Sequence, residues 1–265
     1  MHKPFQAAPD IHVLPSFLPM PGAGFLPINA FLILAREPVL VDTGIGVESE
    51  EFLRSLESII DPKDIKWVWL THDDSDHTGS LRAILELAPQ ARLATHAIAA
   101  LRESLVGPLP LERVHALTLG ESLDVGDRLL RVIRPPLFDN PMSLGFYDEK
   151  SGALLSVDSF GGLVPSPAEE AGEYEEKGLV SGMTAWATLD SPWAHLVEKG
   201  KFQDALNQVR RLDPKLILSA HLPPAKGMTE QLLKVLASVP DAEPFMPPNQ
   251  EAFSFMLAEM AKAQG

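Results

Sequence analysis

Residues 71–80, THDDSDHTGS, place three aspartates and two histidines between His72 and His77, directly after the apolar run IKWVWL. Carboxylates so close together repel one another unless a positive charge sits among them. Neutral imidazole nitrogen and carboxylate oxygen, without sulfur, suit iron, zinc or manganese. Two other apolar runs end in the same residue types, SVDSF with Asp158 and KLILSAH with His221. Open α/β folds carry their sites at such strand ends. The candidate metal set is therefore His72, Asp74, Asp76, His77, Asp158 and His221. Two cations held by a shared carboxylate would let this many acids approach. A single histidine or aspartate at a strand end is more often a cap or a surface residue. The ordered combination favours ligation.

The elements that must position these residues follow from apolar patterning. NAFLILA (29–35), PVLVDTG (38–44) and IKWVWL read as buried strands, with a helix over 48–60. GSLRAILELAP and AIAALRES read as helices flanking the strand ARLATH, an α/β alternation. From about 114 the pieces VHALTL, DRLLRVIRPP, SLGFYDE and ALLSVDSF predict an antiparallel stretch. Residues 164–178 read as an acidic surface loop, followed by helices near 180–197 and 200–212 and a strand at 215–221. A helix over 228–239, a proline-rich hinge and a last helix from about 250 complete the chain. The FSFMLAEM stripe of that last helix reads as a packed or dimer-forming face. In an extended loop, His72, Asp74 and Asp76 would face inward together while His77 approaches from elsewhere. Asp42 reads as structural or as the orienter of a ligand. Asp73 stays open. His2, His96 and His115 read as surface or packing residues, and His195, with Trp186 and Trp193, as core packing beside a pocket.

Bulk properties exclude several classes. A formal charge of −14 disfavours nucleic acid or an anionic membrane as partner. The absence of cysteine excludes disulfides, thiolate metal sites and cysteine nucleophiles. The N-terminus has no apolar signal core, and no apolar run approaches the ~18 residues of a membrane span. A cytoplasmic protein is expected, with a homodimer as the default assembly.

THDDSDHTG resembles the H-x-H-x-D-H signature of the metallo-β-lactamase fold, and PVLVDTG resembles that fold's strand ending in Asp-Thr-Gly. SVDSFGG and LSAHLPP resemble its bridging aspartate and final histidine. The resemblance spans roughly residues 10–225 and implies an α/β fold, the αββα sandwich. Residues 1–225 would form that domain, and 226–265 a helical extension packed on it. Asp74 is an acid where hydrolytic members carry histidine, a pattern similar to flavodiiron proteins and oxygen-binding di-iron proteins. INAFLI and LLSVDSFG resemble that branch too. The resemblance implies a non-haem iron centre of one or two ions, with zinc or manganese as alternative, that binds or reduces dioxygen or nitric oxide. It assigns His72 and Asp74 to one metal, Asp76, His77 and His221 to a second, and Asp158 to the bridge. The family's further histidine is expected within RPPLFDNPMS, where Phe138 stands instead; Asp139 beside it could substitute. Without a substitute, one ion at Asp76, His77, Asp158 and His221 would remain. Nothing after residue 225 resembles a flavodoxin-like domain, so electrons would come from a separate donor protein. The alternative is a hydrolase of an ester, thioester or lactone, with Asp74 or Asp76 as the catalytic proton acceptor. A third reading, favoured by Phe138, is a binding or sensing module with a degraded metal site.

Overall fold

The computed structural model describes residues 1–263. The first sheet contains β1 (Phe5–Ala8), β2 (Ile11–Met20), β3 (Gly24–Ile33), β4 (Val39–Val41), β5 (Trp67–Trp69), β6 (Arg92–Thr95) and β7 (Val114–Ala116), in that order. The second contains β8 (Ser122–Asp124), β9 (Leu129–Ile133), β10 (Gly145–Asp148), β11 (Ala153–Leu155), β12 (Leu216–Ser219) and β13 (Leu222–Lys226). Helices α1 (Ser49–Glu57), α2 (Leu81–Leu87) and α3 (Ala97–Val106) connect strands of the first sheet. Helices α4 (Glu176–Asp190), α5 (Lys199–Leu212) and α6 (Thr229–Ser238) follow strands of the second, and α7 (Gln250–Ala263) ends the chain.

Side chains alternate across each strand, so a strand buried on both faces must be apolar throughout. Val39 and Val41 enter the core between the sheets with Phe31, Trp69, Phe146, Leu155 and Leu218. Leu40, between them, points the other way to meet Phe52, Leu56 and Ile84 of α1 and α2. On the far side, Leu154 and Ile217 pack against Met183, Leu206 and Leu233 of α4, α5 and α6. The layers are helix, sheet, sheet, helix, the αββα arrangement expected from the sequence.

Several local features differ from the patterning. β1, only four residues long, was not legible, nor was β2, where Pro15 and Pro19 interrupt the run. They are tolerated because β1 covers β2 only as far as Val13, leaving the rest of that side of β2 unpaired in the sheet. Pro223 and Pro224 likewise lie in β13, the outermost strand of its sheet. β7 leaves the predicted antiparallel run and joins β6 in parallel, whereas β8 to β11 are antiparallel. The acidic segment predicted as a surface loop is pinned at its start, where Phe25 and Val164 exchange both backbone hydrogen bonds at 2.8 and 2.9 Å. Leu232, Leu233 and Leu236 of α6 are buried. On α7, Phe253, Phe255 and Leu257 are exposed. The extension expected over 226–265 runs past the described residues at 264 and 265. Among the described residues no helix is long and apolar enough to cross a membrane.

Candidate metal centre

The loop after β5 is held from below by Asp42, at the end of β4. The Asp42 carboxylate accepts from the Thr71 backbone N–H at 2.8 Å and from the Thr71 hydroxyl, and lies 2.9 Å from His77 Nδ1. The Asp42 backbone sits at φ +57°, a left-handed conformation that aspartate tolerates better than most residues. Thr43 N–H donates to the His77 carbonyl at 2.8 Å. Gly79 closes the loop against residues 44–46, where a Cβ would stand 2.3 Å from Gly46 N.

The loop itself is turned, not extended as expected. His77 N–H and Thr78 N–H both donate to the Asp74 carbonyl, at 3.0 and 3.1 Å. That turn splits the inward-facing residues into two groups, His72 with Asp74 and Asp76 with His77. Asp73 points away, its carboxylate on Arg102 at 2.8 Å and on the Asn140 amide at 3.0 Å.

The third and fourth contributions arrive from the second sheet. Asp158 follows β11 between Val157 (φ +57°) and Phe160 (φ +66°), two non-glycine residues in left-handed backbone. Such conformations persist only where the surroundings enforce them, and they cluster at functional sites. The Asp158 carbonyl accepts from Trp186 Nε1 at 3.3 Å, and the Trp186 ring lies 4.5 Å from that of His221. His221 Nδ1 must donate to the Pro27 carbonyl, 2.8 Å away, which leaves its Nε2 as a lone pair facing inward. Asp42 fixes His77 the same way.

All six sequence-predicted residues converge. Asp158 Oδ1 lies 3.1 Å from both His77 Nε2 and His221 Nε2, and its Oδ2 lies 3.3 Å from His72 Nε2. Asp76 Oδ2 stands 3.5 Å from His221 Nε2 and 3.7 Å from His77 Nε2. Asp74 Oδ2 stands 3.7 Å from His72 Nε2. One ligand atom from each of Asp76, His77 and His221 fits within 4.8 Å, as does one from each of His72, His77 and Asp158.

The decisive detail is that His77 Nε2 and Asp158 Oδ1 are buried with no hydrogen-bond partner among the described residues. They are 3.1 Å apart but misaligned for bonding to each other. Buried polar atoms are rarely left so. A cation between them satisfies both, so the donor set fits a metal pair with Asp158 shared.

The charges agree. Burial opposes it, but Asp76, Asp158 and Asp42 together hold the His77 imidazole well above its ordinary range. Against burial too, Asp158 raises His221, while His72 and His77 hold Asp158 well below the usual carboxylate range. Burial, and then the His77 charge, lowers His72. Metal ligands must shed their protons. Metal loading of the apoprotein is therefore expected to release protons from His77 and His221 in the pH range where their raised imidazoles still hold them. Affinity should fall as the solution is acidified, because protons then compete for nitrogens whose apo values are raised. Titration calorimetry in buffers of different ionisation enthalpy measures this; proton-neutral uptake would contradict it.

Phe138 does not reach inward. Its ring packs 5.1 Å from that of Trp193 and beneath the Arg134 guanidinium, and its carbonyl accepts from Trp193 Nε1 at 2.7 Å. Asp139 turns toward His72 Nε2 instead, at 4.0 Å, and Asn140 donates to Asp74 Oδ1 at 2.8 Å. Asp190, at the end of α4, was not identified from sequence: a lone acid closing a helix carries no motif. Nor was the role of Trp186 beyond packing. His96 caps α3, and His115 packs edge-on to Trp67. His195 Nε2 is buried without a partner among the described residues.

The family model described as ODP family beta lactamase matches residues 26–221. The chain belongs to the ODP beta-lactamase family. The matched span contains all six converging residues. Flavo-diiron protein FprA2 of Clostridium acetobutylicum is 29% identical over 199 residues, covering 74% of this chain and 48% of that protein. A nitric oxide reductase of Moorella thermoacetica is 29% identical over 174 residues, covering 64% and 43%. The chain thus spans about half the length of the curated relatives it matches. Among solved structures, rubredoxin oxygen:oxidoreductase from Desulfovibrio gigas superposes with a TM-score of 0.79 at 20% identity, over 92% of this chain and 63% of that one. That likeness shows the shared fold, and the resemblance read from THDDSDHTG to the flavodiiron branch holds.

Proposed function

We propose that this ODP beta-lactamase family chain is a non-haem di-iron protein that binds or reduces dioxygen or nitric oxide. His72, Asp74 and Asp158 would hold the first ion, and Asp76, His77, His221 and Asp158 the second. The observation that carries the reading is the buried, unpartnered pair His77 Nε2 and Asp158 Oδ1 inside a set of three histidines and three aspartates. Iron in such a site supplies reversible one-electron chemistry and an open position for a diatomic ligand. The chain's own residues do the rest. Asp42 and the Pro27 carbonyl set the tautomers of His77 and His221, and Trp186 walls the site beside His221. Carboxylate donors in place of imidazole stabilise the higher oxidation states of the metal.

The names of the relatives support this activity, and they support zinc, manganese and hydrolysis less. Delivery of electrons by a separate donor protein belongs to the same proposal, since the 265 residues contain no cysteine to hold an iron–sulfur relay beside the site. A homodimer belongs to the same proposal, with the exposed Phe253, Phe255 and Leu257 of α7 as its contact. The test is reconstitution of the apoprotein with ferrous iron without oxygen, followed by nitric oxide. Two irons per chain and an iron–nitrosyl spectrum are expected. Stable binding of zinc alone, with chelator-sensitive ester turnover, would overturn the reading in favour of the hydrolase.

A further inference from the structure

The first position as assigned above is short of donors. Around it the chain has gathered two more acids: Asp139, which the sequence offered only as a possible substitute for the absent histidine, and Asp190, which no motif marks. Asp139 offers a carboxylate oxygen within 4.8 Å of ligand atoms of His72 and Asp74. Asp190 offers one within 4.8 Å of Asp139 and of Asp158. Three chain segments far apart in sequence therefore bring three carboxylates together. Neither Asp139 nor Asp190 has a lysine or arginine within ion-pairing distance among the described residues; histidine is the sole nearby base. The Asp190 carboxylate accepts one neutral hydrogen bond, from the Ser191 hydroxyl at 3.1 Å. It also stands at the C-terminal end of α4, where the helix dipole disfavours negative charge. Neither feature explains an acid turned inward. Asp158 gives the independent observation: it is 2% exposed, it belongs to this cluster, and its Oδ1 has no hydrogen-bond partner among the described residues.

We infer that Asp139 is a ligand of the first metal position, replacing the absent histidine, and that Asp190 completes the same position from the end of α4. The two positions then differ in kind. The first offers one imidazole and the carboxylates of Asp74, Asp139, Asp158 and Asp190. The second offers two imidazoles with Asp76 and Asp158. Oxygen-rich sites favour harder cations such as manganese or ferric iron, and imidazole-rich sites favour zinc and ferrous iron. The first position is thus the one selective for the harder ion. The inference rests on the two-metal reading above.

The experiment titrates the apoprotein with Mn2+, following free ion by electron paramagnetic resonance. The wild type, Asp139→Asn, Asp190→Asn and, as a mirror, His221→Ala are compared. Wild type is expected to bind two ions. Asp139→Asn should weaken one of them at least ~10-fold, the scale on which even outer-sphere ligand partners act. Asp190→Asn should weaken that same ion, and His221→Ala the other. In Zn2+ competition, the ion lost from Asp139→Asn should be the one that zinc displaces less readily. Asp139 lies on a loop with its side chain 30% exposed, so its variant is expected to fold, which circular dichroism checks. Two ions of unchanged affinity in both aspartate variants would overturn this inference and leave the two-metal reading standing. A single wild-type ion, kept in Asp139→Asn and lost in His221→Ala, would overturn both.

Discussion

Asparagine in place of Asp158 is expected to empty both metal positions together. Asp158 is 2% exposed, with one oxygen among His77 and His221 and the other beside His72. In the proposed di-iron centre it is the one side chain shared by both positions. The substituted amide keeps the size but loses the charge, and one of its two ends becomes an N–H donor that cannot ligate. Loss of even an outer-sphere partner typically weakens metal binding 10–100-fold, so loss of the shared carboxylate should cost at least about 100-fold for each ion. Metal analysis after dialysis at micromolar free iron would read zero ions per chain where wild type holds two. Stabilisation by metal should vanish as well, since an ion at about 100 times its Kd adds about 2.7 kcal/mol to the folded state. Retention of one ion would refute the shared role.

The second large effect is expected from Asp42→Ala, which touches no metal. Its carboxylate serves the Thr71 N–H, the Thr71 hydroxyl and His77 Nδ1, all buried. Each buried donor left without a partner costs about 1–3 kcal/mol. Alanine also fits the left-handed backbone at Asp42 less well than aspartate does. The sum predicts an apoprotein destabilised by roughly 3–9 kcal/mol. Freed from Asp42, His77 can rotate and change tautomer, so the second ion should bind 10–100-fold more weakly. Urea unfolding with chelator isolates the first effect, and metal titration of the folded variant isolates the second. A variant with wild-type stability but weak metal binding would confine Asp42 to ligand orientation.

The layered fold was legible because both faces of strands such as β4 and β5 are covered, which forces apolar runs, while α1 shows one apolar stripe. The prolines of β2 and β13 hid two strands, since backbone on a sheet edge, or beyond the reach of a short neighbouring strand, need not donate the hydrogen bonds that proline lacks. In the site, the donor types at His72, Asp74, Asp76, His77, Asp158 and His221 were readable, as was the anomaly at Phe138. The loop is turned where an extended one was expected, because the Asp74 carbonyl draws residues 74–78 into a turn, yet His72, Asp74 and Asp76 still face the site and Asp73 points away.

Composition and order along the chain determined the chemistry: nitrogen and oxygen donors, no thiolate, an acid at Asp74, and strand ends to present them. Only the folded chain decided which donors come together and which nitrogen of His77 and His221 is engaged by a neighbouring oxygen. The Pro27 carbonyl that orients His221 is 194 residues away, and Asp190 comes to Asp139 and Asp158 from the end of α4. Local periodicity reports which face of an element is buried. It carries no information about which distant atoms will meet that face.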